Sequence, residues 1–401
     1  MFRGNYGLIR VVIALGLTMI VGWGTVFYAF GVLAPKMIAD TGMSRGFVYG
    51  CFSLALLTSG AVAPAAGRLI DRRGGRFVMT IGSCLAAAGC LLVGWSPNMA
   101  VHAFAWMVIG AAIPLMLYDP AFATITHLAG ASGARRLIIQ ITLFGGLAST
   151  VFWPLTHVLE AAYGWRMAWV FCAAANLLIC APLHYFLLPS SRRTLPPEDK
   201  PSVSGAEEKP LAGASGGPYG FLALAIMFAS NNFMLSGMSA HMIPLLVSQS
   251  LTEAESVALA ALIGPAQVAG RLVELLFGRN LSPLVIGTLA TFALLAAFVL
   301  LATFGVSGWA GIAFACVYGA ANGIITVSRG TLPLALFGRA GYGSVLGRLA
   351  RPGLVAAALA PFIFALLIDF GGADLGFEIS FAAAVLAFAA MTAIYLRFRP
   401  R

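Results

Sequence analysis

Residues 67–76 read GRLIDRRGGR and residues 270–279 read GRLVELLFGR. Five of the ten positions are identical, Ile/Val and Asp/Glu exchange at two more, and the copies lie 203 residues apart, about half the chain. A second echo pairs Gly146, Leu147 and Pro154 with Gly353, Leu354 and Pro361 at an offset of 207. Gly, Leu and Pro are common in this chain, so each echo alone is weak; at matching places together they point to a duplicated half. Between the halves, residues 189–218 read PSSRRTLPPEDKPSVSGAEEKPLAGASGGP. Such a stretch offers no apolar face to bury and reads as a flexible linker. The expected organisation is a first bundle at 1–188, a linker at 189–218 and a second bundle at 219–401.

The bundles belong in a bilayer. Sixty per cent of residues are hydrophobic and 9% charged, and the mean hydropathy is +0.93, which leaves a water-soluble fold nowhere to put its apolar surface. The apolar runs are long and continuous, without the alternation of barrel strands, so they are read as helices that satisfy their own backbone in lipid. Twelve spans are expected, near 8–34, 45–69, 76–95, 98–126, 134–159, 166–188, 219–248, 255–277, 282–304, 307–328, 341–369 and 375–396. The resulting fold class is all-α integral membrane, two pseudo-symmetric six-helix bundles. The first run follows Arg3 and Arg10 as a signal sequence would, but it continues past signal length without a small-residue cleavage pattern, so it is read as a retained helix.

The net charge of +10 does not indicate nucleic acid, because the basic residues mark loops rather than one patch. On the spans above, eighteen of the 24 basic residues, Arg329 among them, fall on the face that carries both termini; Lys36, Arg45 and Arg166 fall on the other. The positive-inside rule then places both termini in the cytoplasm of a multi-pass plasma-membrane protein, the inner membrane if the cell is bacterial. Cys51, Cys84, Cys90, Cys172, Cys180 and Cys316 all fall within expected helices and show no ligand spacing, so no metal or cofactor is expected.

The decapeptide at Gly67 resembles the signature of the major facilitator superfamily: Gly67, Asp71, Arg72, Gly74 and Arg76 match, and Gly75 stands where a basic residue is usual. The resemblance implies a conformational lock in which a glycine turn lets Asp71, Arg72 and Arg76 tie neighbouring helix ends on the cytoplasmic side. GWR at 164–166 and RGTLPLALFGRAGYGSVLGRLARPG at 329–353 extend the resemblance over nearly the whole chain, toward a bacterial branch near the monocarboxylate and oxalate/formate porters. Two positions depart from that pattern. Trp106 lies four residues before Gly110, where many members carry an arginine linked to proton coupling, and Ala266 stands where monocarboxylate porters place an arginine.

An ionisable side chain at membrane depth is costly unless paired or hydrated, and so is first read as functional. Arg351 falls about ten residues inside the eleventh span, with no acid within a helical turn. Its planar fork suits a carboxylate, and the resemblance also implies a cation on this helix. Arg348, three positions earlier, is a second anion contact or a gate. Asn231, Asn232, Gln267, Tyr318, Asn322 and Tyr28 are candidate cavity-lining groups, with interhelical hydrogen bonding or aromatic packing as the structural alternative. Asp119 and Glu274 are expected to pair with Arg72, Arg76, Arg271 and Arg279 at cytoplasmic helix ends, and either acid is a candidate proton carrier. His241 could titrate near neutral pH or simply be hydrogen-bonded at an interface.

The leading expectation is alternating-access secondary transport of a small organic anion, monocarboxylate-like, with a proton as candidate co-substrate and symport as its form. The chain is expected to act as a monomer with a small-molecule substrate and the lipid bilayer as its partners. The alternative is a proton-driven exporter of a drug or metalloid, using Met227, Met234, Met238 and Met242 as soft cavity walls. An enzyme is not expected, since no HExxH, GxSxG or paired intramembrane aspartate occurs. A sensor would need an output domain larger than the linker.

Overall fold

The structure, a computed structural model, describes residues 5–189, 216–278, 281–338 and 342–399. Those residues are helical apart from short turns, and no strand occurs among them. They divide into two units, Met1–Gly205 and Ala206–Arg401. The boundary falls in the linker, most of which lies outside the described residues.

In the first unit, α1 (Asn5–Trp23) continues through a π-helical turn (Gly24–Tyr28) into α2 (Ala29–Thr41). Helices α3 (Arg45–Gly94), α4 (Met99–Met116), α5 (Tyr118–Gly146) and α6 (Ala148–Ala175) follow. A second π-helical turn (Asn176–Cys180) leads into α7 (Ala181–Leu187). The second unit holds α8 (Gly217–Ser248), α9 (Glu253–Ala261), α10 (Ile263–Phe277), α11 (Pro283–Phe304), α12 (Gly308–Phe337), α13 (Tyr342–Gly371) and α14 (Asp374–Phe398).

Ten described stretches are long and apolar enough to cross a membrane. Two of them, Arg45–Gly94 with 50 residues and Leu137–Leu187 with 51, are too long for one crossing. At 1.5 Å per residue each would extend about 75 Å, more than twice the hydrocarbon thickness of about 30 Å. Each is broken by a glycine in the left-handed region, Gly74 (φ 75°, ψ 164°) and Gly164 (φ 79°, ψ 163°). Each long stretch therefore crosses twice, which gives twelve passes. Gly74 is the second glycine of the Gly67 motif, so the motif's turn is the hinge between the second and third passes.

The duplication is clearer in three dimensions than in sequence. Ser44 caps α3 by accepting from the Phe47 N–H, and Thr252 caps α9 by accepting from the Glu255 N–H; the two caps are 208 residues apart. Gly42 and Ser250, both left-handed, share that offset. Helices cross at matching points too: Gly110 lies against the Ala55 carbonyl and Gly319 against the Ile263 carbonyl, at offsets of 209 and 208. The offset of 203 between the two motif copies is smaller because the eighth pass, Glu253–Phe277, ends about one turn sooner than the second pass, which runs from Arg45 to the break at Gly74.

Lipid tails are as apolar as the side chains they would replace, so membrane helices are held by close approach and interhelical hydrogen bonds rather than by burial from water. α8 and α13 illustrate this. Pro361 has no N–H to give the Ala357 carbonyl, and Ser236 Oγ of α8 donates to that oxygen at 2.7 Å. One turn further along α8, His241 Nε2 donates to the Pro361 carbonyl at 2.9 Å, and its ring stacks on Phe364.

Candidate functional site

Three buried groups of the first unit, His184, Asn176 and Trp106, make neutral hydrogen bonds to other side chains. The His184 ring nitrogens lie 3.0 Å from Thr18 Oγ1 and 2.9 Å from Ser83 Oγ, so the sixth, first and third passes meet at one buried imidazole. Asn176 Nδ2 donates to Thr25 Oγ1 at 2.8 Å and to the Cys172 carbonyl at 2.9 Å. That bond joins the two π-helical turns, places where a helical ladder is locally loosened. Trp106 Nε1 donates to His102 Nε2 at 3.1 Å. Its ring meets Phe30, Phe52 and Trp169 edge-on, so this position is aromatic packing. Tyr28 also packs edge-on, against Trp153 and Phe27.

At the Gly74 turn the structure explains the departure at Gly75. A Cβ there would lie 1.7 Å from Thr124 Oγ1, and that hydroxyl is itself tied to the Pro120 carbonyl at 2.7 Å. No side chain fits, basic or otherwise.

The ion pairs expected around this turn are not formed among the described residues. Asp71, Arg72 and Asp119 are exposed, and no ion pair joins them; Arg76 instead lies over the Tyr185 ring at 4.3 Å. Glu274 Oε2 is buried without a hydrogen-bond partner among the described residues, one turn along α10 from Arg271. Arg279 lies outside the described residues. Within the first unit, ion pairs occur at the opposite helix ends. Lys36 meets Glu160 at 3.6 Å. Arg166 pairs with Asp40, which also accepts from Trp165 Nε1 at 3.2 Å.

The second unit carries charge within its membrane helices, on an exposed arginine. α12 runs on to Phe337, so Arg329, read from sequence as a loop residue, lies eight residues inside the helix. An arginine lowers local hydropathy and so ends the apolar run at 328, although the helix continues. Arg329 Nη2 donates to Asn232 Oδ1 at 3.1 Å, and Asn232 is the sixteenth of the 32 residues of α8. On its other side the amide lies against Gly353 of α13, where an added Cβ would fall 2.4 Å from Asn232 Nδ2. Three helices thus meet in one polar layer. Asn231, the next residue, is buried, and its Oδ1 has no hydrogen-bond partner among the described residues.

Arg351 lies nine residues into α13, is exposed, and has no hydrogen bond or ion pair among the described residues. Two residues from Gly353 is a rotation of about 200°, so Arg351 points away from the face that meets Asn232. Arg348 is exposed with its guanidinium 5.6 Å from the centre of the Phe221 ring. The other candidates are turned into the packing of their own bundle. Asn322 Nδ2 donates to the Tyr318 carbonyl one turn back on α12 at 2.9 Å, Tyr318 stacks on Phe314 and meets Phe298 edge-on, and Gln267, whose backbone carbonyl lies against Gly323, is buried. Met227, Met234, Met238 and Met242 are no more than 1% exposed, so they pack the bundle and do not present sulfur to a cavity. His241 is likewise buried, as a hydrogen-bonded interface residue.

A duplicated bundle of twelve apolar passes is a build that many membrane transporters share. The chain belongs to the Major Facilitator Superfamily, whose family model matches residues 12–350. Its fold is similar to that of a bacterial homologue of the human lysosomal transporter Spinster. The unoccupied inward-facing form gives a TM-score of 0.70 at 17% identity, covering 99% of this chain and 98% of the other. The occupied form gives 0.67 at 15% identity, covering 98% and 97%. The human organic anion transporter MFSD10 (TETRAN) gives a TM-score of 0.63 at 18% identity, covering 96% and 99%. No curated protein matches the sequence.

Proposed function

We propose that the chain is a secondary active transporter of a small organic anion, monocarboxylate-like, working by alternating access with a coupled proton. The observation that carries this reading is Arg351: an exposed guanidinium about 14 Å along a membrane helix, with no acid paired to it among the described residues. A cation at that depth needs water or an anion, and the arginine fork offers a carboxylate two parallel hydrogen bonds. The organic-anion carrier among the fold neighbours is consistent with it, as are the stretches that resemble the monocarboxylate and oxalate/formate porters. Positive charge concentrated at one set of helix ends favours cytoplasmic termini in a plasma membrane. Asp71, Arg72, Arg76 and Asp119 at the Gly74 hinge are the proposed gate, and Glu274 is the proposed proton carrier.

The test is a counterflow panel on the purified chain in proteoliposomes, with carboxylates, lipophilic drugs and arsenicals, each with and without a proton gradient. Exchange of small carboxylates, accelerated by an inward proton gradient, is expected. Exchange confined to drugs or arsenicals would make the protein an exporter and discard the carboxylate reading.

A further inference from the structure

The geometry points to Arg329 and Asn232 as a second preorganised anion seat, across α13 from Arg351, that the carboxylate of the transported substrate occupies at another stage of its passage. This rests on the organic-anion reading and adds to Arg351 a residue pair that the sequence had placed on different levels, one in a loop and one in a helix.

Depth comes first. α12 has 30 residues, about 45 Å of helix against about 30 Å of hydrocarbon. A helix centred on the bilayer overhangs by about 7 Å at each end, and Arg329 lies about 12 Å from the Phe337 end. Its Cα is therefore inside the hydrocarbon boundary, and its side chain reaches Asn232 at the middle of α8.

The partner's chemistry comes second. A guanidinium has five N–H donors and a full charge. One donor is committed to Asn232 Oδ1; no acid pairs with Arg329 among the described residues. An amide orients the fork without neutralising it, whereas a carboxylate at the same place would both occupy the donors and cancel the charge. An oriented but uncompensated arginine is what reversible capture of a mobile carboxylate requires.

Close packing comes third. Asn232 packs against Gly353, where an added Cβ would fall 2.4 Å from its Nδ2, while its Oδ1 faces Arg329. α13 thus supports the seat from behind while carrying Arg351 on its other face.

The experiment compares wild type with Asn232→Asp, Arg329→Ala and Arg329→Lys, in full-length chain in proteoliposomes, using counterflow of radiolabelled lactate, pyruvate and oxalate. Melting temperature in detergent without added anion is the second readout. Asn232→Asp keeps the arginine and the shape of the side chain but supplies an internal carboxylate. It is expected to raise the half-saturating anion concentration at least tenfold while leaving the melting temperature unchanged or higher. Arg329→Ala is expected to do the same or abolish exchange, and Arg329→Lys to retain part of it. A purely structural role for the pair predicts the reverse for Asn232→Asp: a stronger pair with wild-type half-saturation. Wild-type exchange together with unaltered half-saturation in Asn232→Asp and Arg329→Ala would overturn the seat and leave the carrier reading standing. Failure of wild type to exchange any carboxylate would remove both.

Discussion

The two units share a scaffold and differ in what they hold inside it. Helix caps, left-handed turns and helix crossings recur at offsets of 208 or 209 residues. Where His184, Asn176 and Trp106 of the first unit make neutral hydrogen bonds, Asn232 of the second accepts from an arginine. Duplication therefore preserved the contacts that set helix ends and crossings while side chains between them diverged. Buried neutral networks specify packing and hold helices together. Uncompensated charge costs stability and is retained where something has to be bound.

That contrast makes separable predictions. Substitutions in the first unit should change how much protein folds and how stably, without changing which anion is preferred; substitutions at the charged layer of the second should do the opposite. The largest stability effect is expected from Gly75→Ala, whose Cβ would fall 1.7 Å from Thr124 Oγ1. Overpacking of this kind costs about 1–3 kcal/mol, and the upper end is expected here because the hydroxyl is pinned to Pro120. Folded yield by fluorescence-detected gel filtration should drop sharply, and the double variant Gly75→Ala with Thr124→Ala should recover most of it. An unimpaired Gly75→Ala would mean that the hinge is looser than described.

A smaller effect is expected from His184→Leu, which removes contacts to Thr18 and Ser83. Interhelical hydrogen bonds in membranes contribute about 0.6 kcal/mol each and seldom more than about 1.7, so the loss should be about 1–2 kcal/mol. Thermal melting in detergent would register it as a modest downward shift, while the half-saturating carboxylate concentration per folded molecule stays at the wild-type value. A changed anion preference in this variant would break the division of labour between the units.

The membrane class and the duplicated motif were legible in the sequence because each depends on local composition or a short repeat. Asn232 and Arg351 could be singled out by depth alone. Arg329 could not: an arginine lowers hydropathy wherever it stands, and nothing local reveals that its partner lies 97 residues away. The same limit applies to Asn176, His184 and Gly353, whose importance lies in what another helix brings to them. Tyr318, Asn322 and the four methionines of α8 show the converse ambiguity. A polar or soft group at membrane depth has two inward directions, the transport path and its own bundle, and these side chains take the second.

The most direct measurement of the central claim is carboxylate counterflow by Arg351→Ala set beside His184→Leu, both normalised to folded protein in the same proteoliposomes. The account predicts loss of saturable carboxylate exchange in Arg351→Ala, with normal expression, and wild-type half-saturation in His184→Leu. Unchanged saturable exchange by Arg351→Ala would contradict it.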